Sequence, residues 1–220
     1  MFFLQSLFDL TENLLGDSIN HFPLIELIFY SLDQALFYFI FWAIGRSLYL
    51  FIRKKKQLPI KIRREVILNL FVFYLILLIH LTVFREENSI GNVAVTLRSL
   101  DQINWTPFVH TFKLTQGVTL FDYYYNLYGN ILWFIPMGFG AAYLTTKRHY
   151  FFKTLLLGSV VSFSIETMQF LFHTGVADID DLIFNTIGTL VGLILFEACQ
   201  WIFYKVKGIK KRKINSVNRS

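Results

Sequence analysis

The chain contains one cysteine, Cys199, which excludes an intrachain disulfide framework, and no Cys/His spacing suits a zinc site. Cys199 lies in an apolar run, where a lone cysteine behaves as a small hydrophobe. Charge is also scarce: 16% of the 220 residues are charged, against about 25% in soluble globular domains. Met1–His21 has no Lys or Arg and so lacks the basic start of a secretory signal. Internal repeats, low-complexity stretches, and serine-hydrolase or zinc-protease motifs are all missing. What is present is apolar: 55% of residues are hydrophobic, with 25 Phe and 11 Tyr, and mean hydropathy is +0.49. This is the composition of a protein that lives in a membrane.

Five spanning helices are expected, over Leu24–Ile52, Val66–Phe84, Asn126–Thr146, Phe151–Phe172 and Leu182–Tyr204, each close to the ~20 residues that cross a bilayer core. Glu26, Asp33 and Arg46 interrupt the first, whose true span shortens to Ala35–Ile52 if the helix is not tilted. Ahead of it, Phe2, Phe3, Leu7, Phe8 and Leu10 suit either a short interfacial helix or a peripheral, unstructured end. The net charge of +6 is no nucleic-acid stripe, because the basic residues sit in short clusters beside apolar runs. Seventeen of the 21 Lys and Arg fall in Arg53–Arg64, Lys147–Lys153 and the tail from Lys205, whereas the alternate loops hold three. By the positive-inside rule the N-terminus is outside and the C-terminus cytoplasmic. No nucleic-acid partner and no cofactor are expected; membrane lipids are.

That orientation gathers the polar residues. Asn126 and Asn130, four apart, share a face in the outer turns of the third span. Pro136 and Gly138 lie near its middle, where a kink and close packing are expected. Glu166 and Gln169 share a face in the outer half of the fourth span. Asp178, Asp180 and Asp181 follow in a short loop, with Asp181 placed to cap the fifth span and Asn185 one turn further in. Gly188 and Gly192 make a small-residue face for tight helix contact. Charged groups at membrane depth cost about 2.5–3.5 kcal/mol each, so the cluster points to a site. The plainer alternative is that these groups only bond helices to one another. The outer segment Arg85–Tyr125 adds Asn104-Trp105-Thr106-Pro107-Phe108, with turn formers and interface aromatics. Arg85 is either a partner for Glu166 or for an anionic ligand, or a cation that snorkels from its helix end.

Three blocks carry a resemblance: Asn104 to Phe108 is similar to N-x-x-P-F, Asn130 to Gly138 to N-x-x-x-F-x-P-x-G, and Glu166 to Gly188 to E-x-x-Q…D-I-x-D…N-T-x-G. In order and spacing over about Leu81 to Phe196, the chain resembles the VanZ-like membrane proteins. Many relatives carry an Arg just before the acidic loop; here Thr174-Gly175-Val176-Ala177 stands there, so a phosphate-binding role for that Arg is not available. The division expected is 1–60 as an N-terminal segment with an added spanning helix, 61–204 as the VanZ-like membrane domain, and 205–220 as a basic cytoplasmic tail. The resemblance implies a bacterial cytoplasmic-membrane protein of the envelope, common in Gram-positive bacteria. It also implies low-level teicoplanin resistance through reduced antibiotic binding, with the cell-wall target left unaltered.

Three readings follow. In the first, an outer-leaflet pocket engages an envelope lipid-linked precursor or a lipoglycopeptide. Phe134, Trp133 and Phe108 form its apolar wall, and Arg85, Asn104, Asn130, Glu166, Gln169, Asp181 and Asn185 its polar grip. In the second, an envelope-lipid enzyme uses Glu166 with Asp178, Asp180 and Asp181 as acid and base, or as oxygen ligands for Mg²⁺ or Ca²⁺. His173 is the sole imidazole nearby, and no nucleophile pairs with it, so no catalytic set is assigned. In the third, a lipid transporter carries protons on Glu166, with a homo-oligomer formed through Gly188 and Gly192 supplying the missing symmetry.

Overall fold

The computed structural model describes residues 1–16, 22–84, 99–108, 120–145 and 149–217. Among them the chain forms α1 (Gln5–Leu15), α2 (Phe22–Lys55), α3 (Ile62–Thr82), α4 (Leu120–Thr145), α5 (Tyr150–Phe172) and α6 (Ile179–Val217), with a single 3₁₀ turn at Leu100–Gln102. The fold is an all-α, multi-pass membrane bundle: the five helices after α1 are long and apolar enough to span a bilayer. Their large exposed side chains, such as Leu70, Phe152, Leu156, Phe163 and Trp201, make a lipid-facing belt.

Local chemistry sets several helix ends. The last turn of α2 holds Arg53, Lys54 and Lys55, cations that favour the negative end of a helix. Gln57 then turns left-handed at φ 54, and the Gln57 and Leu58 amides close back on the Lys54 and Arg53 carbonyls, both at 3.0 Å. His173, at φ 60, ends α5 in the same way. All five spanning helices start earlier than expected, and α2 and α6 also end later. α4 begins at Leu120 and α6 at Ile179. α6 continues as a helix to Val217, well into the basic tail. At 34 residues α2 measures about 51 Å, far more than a bilayer core of about 30 Å, so one end projects beyond it.

α3, α4, α5 and α6 alternate in direction. At one end the α3 and α5 termini meet each other and the start of α6: the Gln169 side-chain amide donates to the Thr82 carbonyl oxygen at 2.9 Å, and the Asp178 amide to Glu166 at 3.0 Å. The basic clusters collect at the other end, where Arg64 donates to the Leu144 carbonyl oxygen at 3.2 Å. The core near the first end is Leu78, Val83, Phe134, Met137 and Ile165. A second core of Ala142, Leu193 and Phe196 lies toward the basic end.

α4 and α6 form the closest pair. A Cβ on Gly188 would fall on the Ile131 carbonyl oxygen, one on Gly192 on that of Ile135, and one on Gly138 on that of Thr189. Glycine is therefore required at these three positions for backbone to meet backbone. α4 of the same chain occupies the Gly188–Gly192 face, so it offers no free surface for the subunit contact considered above. Pro136 sits in the body of α4 with its ring exposed. Beside it the Tyr74 hydroxyl donates to the Trp133 carbonyl oxygen at 2.6 Å. A side chain of α3 thus enters the helix ladder next to the bond that proline removes.

Candidate functional site

The acidic turn is built first by local rules. α6 starts at Ile179, three residues before the expected Leu182, so the capping residue is Asp178 and not Asp181. The Asp180 amide donates to the Asp178 carboxylate at 2.9 Å, satisfying one of the open N–H groups of the first turn. The same Asp178 oxygen accepts from the Asn104 side chain at 3.0 Å. The backbone around it is held by a parallel bridge: the Asn104 amide donates to Ala177 O at 3.0 Å, and the Ile179 amide to Asn104 O at 3.1 Å. Asp180, 1% exposed, accepts from the Phe108 amide at 2.6 Å. Phe108 stands at φ 65, with its ring 6.4 Å from that of Phe184.

The Asn104–Phe108 block is therefore a clip over the start of α6. It is not a wall of the site. Asp180 faces this clip, and Asn104, Pro107 and Phe108 belong to it. Trp105 and Phe108, 64% and 43% exposed, remain on its outer side.

The remaining polar residues converge. Glu166, 8% exposed, accepts the Asp178 amide at 3.0 Å. Asp181, freed from capping, accepts from the Asn130 side-chain amide across the α4–α6 contact. Gln169 ties α5 to the end of α3 through Thr82. Asn185 donates to the Ser162 hydroxyl at 2.9 Å, which leaves its own buried Oδ1 without a protein partner among the described residues. Such an atom costs about 1–3 kcal/mol unless a ligand or water donates to it.

These groups line one cavity of about 260 Å³. Asn130, Glu166, Gln169, Asp178, Asp181 and Asn185 supply its polar side; Trp133, Phe134, Leu78, Leu81 and Ile165 supply much of its apolar side. Of the twelve residues expected to bind a ligand, the structure brings these six polar ones to the cavity. Pro136 lies deeper on the exposed face of α4, and Arg85 falls outside the described residues. Sequence reasoning missed Leu24 and Ile28, which reach the cavity from the start of α2, and also Leu78, Leu81, Thr82, Gly129, Ile165, Gly175 and Val176. Apolar residues at a helix start carry no signal that separates a cavity wall from a lipid face.

The three aspartates do not converge. Asp178 faces Asn104 and its own helix start, Asp180 the Phe108 amide, and Asp181 the Asn130 amide. Among the described residues no group of three or more His, Cys, Asp or Glu is arranged to hold a metal ion. The arrangement offers amide and carboxylate groups beside an apolar wall, which suits non-covalent recognition of an amphiphile.

A profile of the VanZ/LLP1 family matches residues 71–203. The chain is similar to the protein VanZ of Enterococcus faecium, with 30% identity over 128 residues, covering 58% of this chain and 71% of that one. No solved structure matches.

Proposed function

Because the chain belongs to the VanZ/LLP1 family, we propose that it lowers susceptibility to teicoplanin-type lipoglycopeptides by reducing their binding at the cell surface. The protein acts by holding an amphiphile in the cavity, either the acyl part of the antibiotic or an envelope lipid-linked precursor. The cavity lies at the end of the bundle away from the basic clusters, which the positive-inside rule assigns to the outer half of the cytoplasmic membrane. One observation carries this reading. The groups from α4, α5 and α6 that are costly to bury, Asn130, Glu166, Asp181 and Asn185, line the same space as Leu78, Leu81 and Ile165.

The test is binding of fluorescent teicoplanin to a susceptible Gram-positive host. Cells expressing the wild-type chain are compared with Glu166→Gln, Asp181→Asn and Asn185→Ala at matched membrane levels, alongside the inhibitory concentration. Labelling should fall with the wild type and return in the variants, with cell-wall precursors chemically unchanged. Equal labelling and equal susceptibility in every strain would sink the proposal. A phenotype that disappears when the proton gradient is collapsed would favour a transporter working through Glu166.

A further inference from the structure

Fifteen of the seventeen cavity-lining residues fall inside the segment matched by the family profile; Leu24 and Ile28 precede it. They sit in the first two turns of α2, the helix that is too long for the bilayer. These turns are held by contacts from α1 and the residues before it. Asp33, fully buried, accepts the Phe2, Phe3 and Leu4 amides at 2.6, 2.6 and 2.8 Å. These are the amides of the two residues before α1 and of its N-cap, Leu4, so the carboxylate sits at the positive end of that helix, where it is favoured. The Phe2 and Phe37 rings stack at 4.8 Å. One helical stretch away, Phe8 packs against Phe22 and Phe29 with centroids 6.0 and 5.8 Å apart. α1 is thus strapped along the turns of α2 that carry Leu24 and Ile28.

We propose that α1 and the amino-terminal turns of α2 form a brace that closes one side of the cavity, with Leu24 and Ile28 setting how broad an alkyl chain the site admits. The alkyl part of this statement rests on the cavity being a ligand site; the brace does not. Leu24 and Ile28 line the same space as Leu81, Ile165 and the polar groups, so a chain bound there lies against α2 with its head toward Asn185. Asp33 acts on the site only through the position of α2 and is a positioning residue.

The experiment uses the full chain in lipid nanodiscs. In a Cys199→Ser background, Ile165→Cys places a thiol at a position that is 2% exposed and lines the cavity. Its alkylation by N-ethylmaleimide is followed by mass spectrometry. Adding Asp33→Asn, or Leu24→Ala with Ile28→Ala, should raise the rate about tenfold, as expected when a local closing contact is lost. Leu24→Trp should lower the rate, which guards against variants that merely misfold. Leu48→Ala, on the lipid face of α2, should leave it unchanged.

Chain breadth is read from protection of the thiol by a straight-chain alkyl glucoside and by a branched isomer of equal carbon number. The wild type should favour the straight chain, and the double alanine variant should lose that preference. Rates that ignore the Asp33, Leu24 and Ile28 substitutions would overturn the brace, even if both glucosides protect. Rates that respond while neither glucoside protects would support the brace and fail the ligand reading.

Discussion

α4 and α6 meet through their backbones, whereas α2 and α3 meet through side chains. In the first pair, three glycines let each helix press on carbonyl oxygens of the other. In the second, Tyr38 stacks on His80 at 5.2 Å, and the Trp42 indole donates to Asn69 at 2.8 Å. Arg46 grips Glu65 with two hydrogen bonds of 2.7 and 2.8 Å. Backbone contact has one geometry and no slack, while long side chains can follow a helix that shifts. The cavity lies between these two kinds of contact. Of its polar residues, Asn130, Asp178, Asp181 and Asn185 stand on or at the start of the rigid pair, Glu166 and Gln169 come from α5, and Leu24 and Ile28 belong to the adjustable pair. A site built this way can keep its hydrogen-bonding groups fixed while its apolar wall varies in position.

Breaking the rigid pair should have the largest effect. Gly188→Val puts a branched side chain where the Ile131 carbonyl stands, and neither helix can yield without moving the groups on the polar side. Overpacking of this kind should cost about 3 kcal/mol. The check is unfolding in detergent, or a steep loss of folded protein from membranes. A variant as stable as the wild type would mean that α4 and α6 are not in backbone contact. Next in size is Asp178→Ala, which removes both the helix cap and the Asn104 clip. Loss of a cap costs about 0.5–2 kcal/mol, and hydrogen exchange should rise at Asn104 and Ile179, whose amides the bridge protects. Exchange confined to the first turn of α6 would show that the clip holds without Asp178.

The sequence made legible the parts of this comparison that rest on short spacing. Hydropathy found the five spans, and small residues four apart marked the α6 face that needs a close neighbour. The alternating direction of the spans places Asn130, Glu166, Gln169 and Asn185 at one end of the bundle, and the three-residue spacing of Glu166 and Gln169 puts those two on one face. What escaped has physical reasons. Hydropathy reports where apolar sequence ends, and α6 remains helical to Val217 because its backbone bonds are internal. Hydropathy sets the start of α6 three residues late, which gives the cap to Asp181 and hides the role of Asp178. Phe108 and Asn104 read as wall and grip, but their partners, Asp180 and Asp178, are 72 and 74 residues away. Asp33 read only as a charge interrupting a span. Its partners are backbone amides about 30 residues earlier, and no spacing rule joins a side chain to such a segment.

The smallest expected effect probes the adjustable pair. Arg46 and Glu65 are mostly buried, with side-chain exposures of 20% and 14%. They lie beside the basic cluster, where water and lipid headgroups can replace a lost partner. A double-mutant cycle with Arg46→Met and Glu65→Gln should therefore give a coupling near 1 kcal/mol, the upper range for accessible pairs. Trp42 and Asn69 should hold the two helices together in its absence. A coupling of about 3 kcal/mol or more, as found when one partner of a buried pair is stranded, would make α2 as fixed as α6. The cavity would then have two rigid walls, and the effect of Leu24 and Ile28 substitutions would come from their volume alone, with no contribution from movement of the helix that carries them.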